Sequence, residues 1–288
     1  MNISLHFPGK YKVCILVLSC VPARITKIIL LGWFWLVPIV CSAQVTPLIH
    51  AHAHNDYMHN RPLFEALENG FTSIEIDVFL HNGELKVAHE PIDLDGKKTI
   101  EELYLDPIKK VIAQNGGRVY KGYNAAVIFM IDFKTSGAET YAQLKKVLKN
   151  YEDLITIYKN DSVIQQRAIN ILISGNSPAP QLLKEDSAFA TLDAGMQSME
   201  NTSVSKVSTR FSSAWETYFM WRGKGNIPVK EKMKLDSLVA KAHQLKKEIR
   251  FYHIPDKPVV WQTLLAAGVD WINTDKLEEF RKFTEQKK

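Results

Sequence analysis

The chain has 288 residues, 46% of them hydrophobic, which is enough apolar material for one large core. Its 36 basic and 31 acidic residues give a formal charge of +5, but four of the basic ones, Lys10, Lys12, Arg24 and Lys27, fall in the first 43 residues, which carry no acid; without them the balance is 32 against 31. That near-neutral remainder excludes a charge-driven nucleic-acid partner, and because Cys14, Cys20 and Cys41 also lie in the leading stretch, it excludes thiol, thiolate-metal and disulfide chemistry from the rest of the chain.

The leading stretch reads as a targeting segment. Apolar runs at Val13–Val21 and Ile28–Cys41 follow basic residues, and the second ends in the small residues Cys41-Ser42-Ala43. This pattern predicts a secretory signal peptide over residues 1–43, cleaved after Ala43 to give a secreted or periplasmic protein. The second run, about 14 apolar residues interrupted by Pro38, is shorter than the ~20 a spanning helix needs, so no stable membrane span is expected in the mature form. Residues 44–288 show no linker, low-complexity segment or composition break and are expected to form one domain.

Strand-like and helix-like segments alternate through that domain. Pro47 to His54 predicts a first strand, and Pro62 to Gly70 a helix with proline in its first turn and glycine beyond its last. Ser73 to Leu80 predicts a second strand, extended across a turn at Asn82-Gly83 by Glu84 to His89. Thr99 and Glu102 have capping-box spacing for a helix toward Asn115 that Pro107 must bend or split.

Ala125 to Phe133 is a near-continuous apolar run, as in a parallel strand covered on both faces, and a helix follows through Ala138 to Tyr151. Further strands are expected at Ala168–Ser174, Phe189–Leu192, Val207–Ala214, Ile249–His253 and Val269–Asn273, with helices after Pro178, over Lys230–Lys247, over Val259–Ala267 and toward Phe283. Eight strands alternating with helices over this length predict an α/β fold, a single (β/α)8 TIM barrel, whose function would sit at the carboxyl ends of the strands.

The residues at those ends carry the chemistry. Glu75 and Asp77 are two apart, so on a strand they share a face, and such carboxylate pairs suit a hard divalent cation, Mg²⁺ or Ca²⁺. Asp132 and Lys134 repeat the spacing at the end of the third strand, which suggests a third ligand and a cation facing an anionic substrate. His52 and His89 flank the carboxylates and are candidates for acid and base. Trp215, His253, Asn273 and Asp275 also end strands, although such a tryptophan and His253 more often belong to a barrel core, and His54-Asn55-Asp56 equally suits a turn.

His52, Ile-Glu75-Ile-Asp77, Val-Ala-His89 and Ile-Asp132-Phe-Lys134 together resemble the glycerophosphodiester phosphodiesterase superfamily, which includes phosphatidylinositol-specific phospholipase C and sphingomyelinase D. The His-x-His-Asn-Asp-Tyr opening is similar to a branch typified by a fungal mitochondrial-inheritance protein and bacterial secreted members. The resemblance implies a metal-dependent phosphoric diester hydrolase acting on a glycerophosphodiester or a (lyso)phospholipid-like head group. It further implies Glu75, Asp77 and Asp132 as ligands, His52 and His89 as acid and base, and substrate contact by Lys134, to which Trp215 and Asn273 are added as candidates. Two departures stand out: the usual His-Arg-Gly is His52-Ala-His54, and the third ligand, usually glutamate, is Asp132.

Two other functions compete. His52-x-His54 on a first strand is also how amidohydrolase-like barrels begin a Zn²⁺ site, although later strands offer only His253 to complete it. A secreted binding protein that keeps the pocket without turnover is the other.

Overall fold

The computed structural model describes residues 45–286, so the signal segment expected over residues 1–43 lies outside the described residues. Eleven strands appear in chain order among them: β1 (Leu48–Ala53), β2 (Phe71–His81), β3 (Glu84–Val87), β4 (Val127–Phe133), β5 (Ile157–Lys159), β6 (Ser162–Gln165), β7 (Ile169–Gly175), β8 (Ala190–Gly195), β9 (Ser208–Ala214), β10 (Glu248–Tyr252) and β11 (Trp271–Thr274). β1, β2, β4, β7, β8, β9, β10 and β11 pair in parallel in that order, and β11 returns to β1, which closes an eight-stranded barrel. Closure leaves these strands no free edge.

Alternation along the strands builds two environments. On β2, Ile74, Ile76 and Val78 are buried in the apolar layer, as are Phe129, Ile131 and Phe133 on β4. There they meet residues of the surrounding helices, among them Tyr141, Leu144 and Leu148 of α3 (Gly137–Lys149). Each such side chain contributes roughly 1.5–3 kcal/mol of burial free energy. The intervening residues Ser73, Glu75, Asp77 and Asp132 face the barrel interior, which is therefore polar at its carboxyl end.

The helices largely follow the sequence pattern. α1 (Phe64–Glu68) is shorter than the Pro62–Gly70 segment because Leu63 has a positive φ of 67° and holds its turn outside the helix. α2 (Asp106–Gln114) grows directly from a π-helical turn at Glu101–Leu105; the expected capping box is present, with Thr99 N donating to Glu102 Oε2 at 2.8 Å, and Pro107 sits at the junction, where its missing N–H costs nothing. α4 (Ala179–Leu182), α5 (Thr202–Val207), α6 (Val229–Gln244), α7 (Pro258–Ala266) and α8 (Leu277–Glu285) complete the set.

The middle of the chain departs most from expectation. β5 and β6 form an antiparallel hairpin that the exposed polar sequence Lys159-Asn160-Asp161-Ser162 does not signal beyond a turn, and α5 is a short helix, capped by Asn201, in a segment with no apolar periodicity.

Candidate active site

At the carboxyl ends of the barrel strands a cavity of about 410 Å³ is lined by Glu75, Asp132, Lys134, His54, His89 and Arg250, among others. Parallel register makes its acidic centre: Asp77 of β2 pairs with Asp132 of β4, which pairs in turn with Ser174 of β7. With Glu75 one inward position below Asp77, the three carboxylates each offer an oxygen within 4.8 Å of the other two. Ser174 Oγ donates to Asp132 Oδ2 at 2.9 Å. Gly175 is required beside them, because its φ is +73° and a Cβ there would meet Asp132 Oδ1 at 2.6 Å.

Lys134, one residue past β4, places Nζ 2.9 Å from Asp77 Oδ2 and 3.0 Å from Asp132 Oδ1. Burial disfavours its charge, but the Asp132 charge and the hydrogen bond to Asp77 prevail and raise its pKa. Tyr57 Oη donates to Asp77 Oδ2 at 2.6 Å. Burial nevertheless pushes the Asp77 carboxyl above its ordinary value, against the Tyr57 and Lys134 hydrogen bonds. Asp77 Oδ1 is buried with no hydrogen-bond partner.

Glu75 behaves oppositely. Burial alone would raise its pKa, but His52 Nε2 at 2.9 Å and Arg250 Nη1 at 3.2 Å hold it well below the usual carboxylate range. Arg250 is the hub of the floor: Nη1 donates to Asn273 Oδ1 at 2.9 Å, Nη2 to Asp193 Oδ2 at 3.2 Å and Nε to Ser212 Oγ at 3.1 Å. Glu75, Asp77, Asp132 and Asp193, when ionised, thus face the two cations Lys134 and Arg250, an imbalance of two negative charges that one divalent ion would neutralise. The partnerless Asp77 Oδ1 and the three clustered oxygen donors fit a hard cation such as Mg²⁺ or Ca²⁺.

The three histidines separate clearly. His52 is fully buried, its Nδ1 2.7 Å from Ser73 Oγ and its Nε2 on Glu75. Burial, then the Arg250 charge, push its pKa down to about 3, so it is a neutral strut. This corrects the expectation that His52 exchanges protons with substrate, since neither ring nitrogen is open to the cavity. His54, two residues on, does line the cavity, with Nδ1 2.8 Å from Asp275 Oδ1. Burial works against its charge, but that hydrogen bond and the Glu75 charge outweigh it and raise its pKa. His89 also lines the cavity, half exposed, with Nδ1 2.9 Å from Tyr57 Oη and 3.3 Å from Asp77 Oδ2. Both His54 and His89 are thereby held through Nδ1, which leaves Nε2 for substrate.

Each residue of the run His54-Asn55-Asp56-Tyr57 has a distinct part. Asn55 takes a left-handed φ of 47°, which turns the chain off β1. Asp56 is buried and accepts from Leu63 N at 2.6 Å and Tyr104 Oη at 2.9 Å, which fixes the turn from inside; burial raises its pKa to about 6. Tyr57 then reaches back to Asp77 and His89.

Two expected substrate contacts lie elsewhere. Trp215 is fully buried, stacked on Phe219 at 4.1 Å, with Nε1 donating to Trp221 O at 2.8 Å, so it anchors the loop after β9 instead of touching substrate. Asn273 is buried beneath the cavity as an acceptor for Arg250. His253, a core candidate by sequence, is instead exposed on the cavity rim beside Glu216. Asp275, a strand-end candidate by sequence, is the residue that holds His54. Sequence reasoning missed Arg250 and Asp193 and gave Tyr57 no role of its own; the one available signal for the first was an arginine between Ile249 and Phe251 of an apolar strand, on the inward alternation.

A family model described as an AIM6-like phosphodiesterase domain matches residues 40–190, which contain all three clustered carboxylates, Lys134, His54 and His89. "Altered inheritance of mitochondria protein 6" of Eremothecium gossypii is 29% identical over 276 residues, covering 84% of this chain and 71% of that protein. The protein of the same name from Saccharomyces cerevisiae is 27% identical over 278 residues, covering 82% and 70%. Among solved structures, a glycerophosphodiester phosphodiesterase from Parabacteroides distasonis shares the barrel fold, with a TM-score of 0.52, 16% identity, and coverage of 84% of this chain and all of that one.

Proposed function

This chain belongs to the AIM6-like phosphodiesterase domain family, within the glycerophosphodiester phosphodiesterase and phospholipase C-like superfamily, and from that premise we propose that it is a metal-dependent phosphoric diester hydrolase. The observation that carries the reading is that two histidines held through Nδ1, one lysine and three clustered carboxylates line or border a single cavity. The substrate class is a glycerophosphodiester or a (lyso)phospholipid-like head group. Its anionic phosphoryl oxygens would be met by Lys134 and, below it, Arg250.

Glu75, Asp77 and Asp132 would hold a divalent cation, Mg²⁺ or Ca²⁺, which when bound supplies charge neutralisation at the phosphoryl group. The chain's own residues do the rest. One of His54 and His89 accepts the proton of the attacking hydroxyl, from water or from the substrate itself, and the other protonates the departing alkoxide. Asp275 and Tyr57 fix the two rings, so each Nε2 is set before substrate arrives. His52 and Arg250 hold Glu75 ionised and oriented. In the amidohydrolase-like alternative His52 would be a ligand, and its burial against Glu75 and Ser73 counts against that.

The reading includes export from the cytoplasm, which rests on the basic, apolar and small-residue order of residues 1–43 and is checked by the intact mass of the native protein. Activity is tested by alcohol release from a panel of glycerophosphodiesters and lysophospholipids with and without chelator. Chelator-sensitive turnover supports the reading, and absence of turnover on every diester with added Mg²⁺ or Ca²⁺ contradicts it.

A further inference from the structure

The loop from Trp215 to α6 carries an apolar and basic face next to the cavity. It is anchored from below: Trp215 stacks on Phe219, its indole holds Trp221 O, and Trp221 Nε1 donates to Lys224 O at 3.2 Å. Glu231, in the first turn of α6, accepts from Met220 N and Trp221 N, both at 3.0 Å, which clips the loop to the helix. Gly223 packs on Val259, Val260 and Lys257 at the start of α7, and Lys257 Nζ donates to Arg222 O at 3.3 Å.

A loop held this firmly has the means to bury its apolar side chains, yet Met220 and Val229 are the most exposed large apolar residues among those described, at 83% and 76%. Met233, four residues after Val229 and on the same helix face, and Val259 are exposed as well. Arg222, Lys224, Lys230, Lys234 and Lys257 lie on the same segments, and all five are exposed. The acids there are engaged elsewhere: Glu216 with His253, Glu231 with the two backbone N–H groups, and Asp236 with Lys232. The loop that carries this face also reaches the cavity rim, where its Glu216 holds His253.

Exposed methionine and valine ringed by lysine and arginine match a surface that is anionic at the head groups and apolar just beneath, as a bilayer is. We propose that the Met220–Met233 face, with Val259 and Lys257, docks on an anionic lipid surface and presents the cavity to phosphodiesters held there. The identity of the substrate in this proposal rests on the phosphodiesterase reading; the docking itself does not. An acidic polypeptide would satisfy the lysines but would leave Met220, Val229 and Met233 in water.

The test is co-sedimentation of the full chain with vesicles of mixed phosphatidylglycerol and phosphatidylcholine, and of phosphatidylcholine alone, alongside hydrolysis of a soluble glycerophosphodiester. The wild type should bind the anionic vesicles more tightly than the neutral ones. M220E/M233E should lose about ten-fold or more in partitioning, and K224E/K230E should lose the preference for anionic lipid, with soluble-diester turnover unchanged in both. Wild-type and M220E/M233E chains partitioning equally would overturn the proposal. So would binding that tracks only the lysines and is displaced by polyglutamate, which would mark an acidic-polypeptide surface. Loss of soluble turnover in the wild type would instead count against the phosphodiesterase reading and leave the vesicle result standing.

Discussion

His54 Nδ1 lies 2.8 Å from Asp275 Oδ1, at the start of the loop that leaves β11, so the two ends of the barrel chain meet at one imidazole. Asp275 N in turn donates to Asp256 Oδ2 at 3.1 Å, and Asp256 is held by Thr274 and Trp261, which makes the support rigid.

From this geometry, His54→Ala should cost on the order of 10²- to 10⁴-fold in kcat/KM, the range of a lost general acid or base. Asp275→Asn should cost less, because the ring remains in the cavity. His54 titrates above the ordinary histidine value through Asp275 and Glu75, so its neutral form appears only as pH rises through the raised pKa. If His54 is the base, the acid limb of the kcat/KM profile should move to lower pH in Asp275→Asn at a fixed cation concentration. A limb that does not move removes His54 from that role.

The two inner carboxylates should respond in opposite directions. Asp77 has a raised pKa, meaning that the fold disfavours its ionised form, so Asp77→Asn should leave the cation-free melting temperature unchanged or higher while abolishing cation-dependent activity. Glu75 has a depressed pKa, so its contribution to stability is present above the unfolded carboxylate value and is lost as pH falls through the folded one. Glu75→Gln should therefore destabilise, though by less than the ~3–5 kcal/mol of a fully broken buried pair, because Arg250 keeps Asp193 as a second carboxylate partner. Thermal melts with chelator separate the two outcomes.

His52 and Asp56 are expected to give stability slopes of opposite sign. His52 has a folded pKa of about 3, so protonating it in the unfolded chain lowers stability as pH falls from the ordinary histidine range toward 3, and His52→Gln should flatten that acid-side loss. Asp56, raised to about 6, binds its proton in the fold; the stability this gives is full below the unfolded value and is lost as pH rises through 6. Asp56→Asn should thus gain up to about 3 kcal/mol relative to wild type above pH 6, and little below pH 4, because holding a carboxyl protonated beyond its ordinary range costs ~1.4 kcal/mol for each pH unit. Urea unfolding across that range reads both slopes.

The barrel and the acidic cluster were legible because each follows from local periodicity. Glu75, Asp77 and Asp132 share the inward alternation of buried strands, and parallel register alone aligns Asp77 with Asp132. What was not legible depends on depth and on distant pairing. His52 and His54 have the same residue type and share a strand face by spacing, and only the turn at Asn55 and the presence of Ser73 and Glu75 beside His52 decide that the second reaches the cavity. Arg250 and Asp275 are recruited from β10 and from the end of β11, nearly two hundred or more positions from the motif they serve; an inward strand position and a strand end mark them as candidates, but no local pattern says which carboxylate or imidazole each one meets. Trp215 ends a strand as a binding residue does, but the hydrogen bond from its indole to Trp221 O turns it into the core.

The measurement that bears most directly on the central claim is ³¹P NMR of a glycerophosphodiester incubated with the purified protein, first in chelator and then after addition of Mg²⁺ or Ca²⁺, with Asp132→Asn in parallel. Three carboxylates acting as cation ligands predict an unchanged diester resonance in chelator, conversion to a monoester or cyclic diester once cation is restored, and no conversion at the same cation concentration by the variant. Conversion at the same rate in chelator, or by Asp132→Asn, would contradict the account.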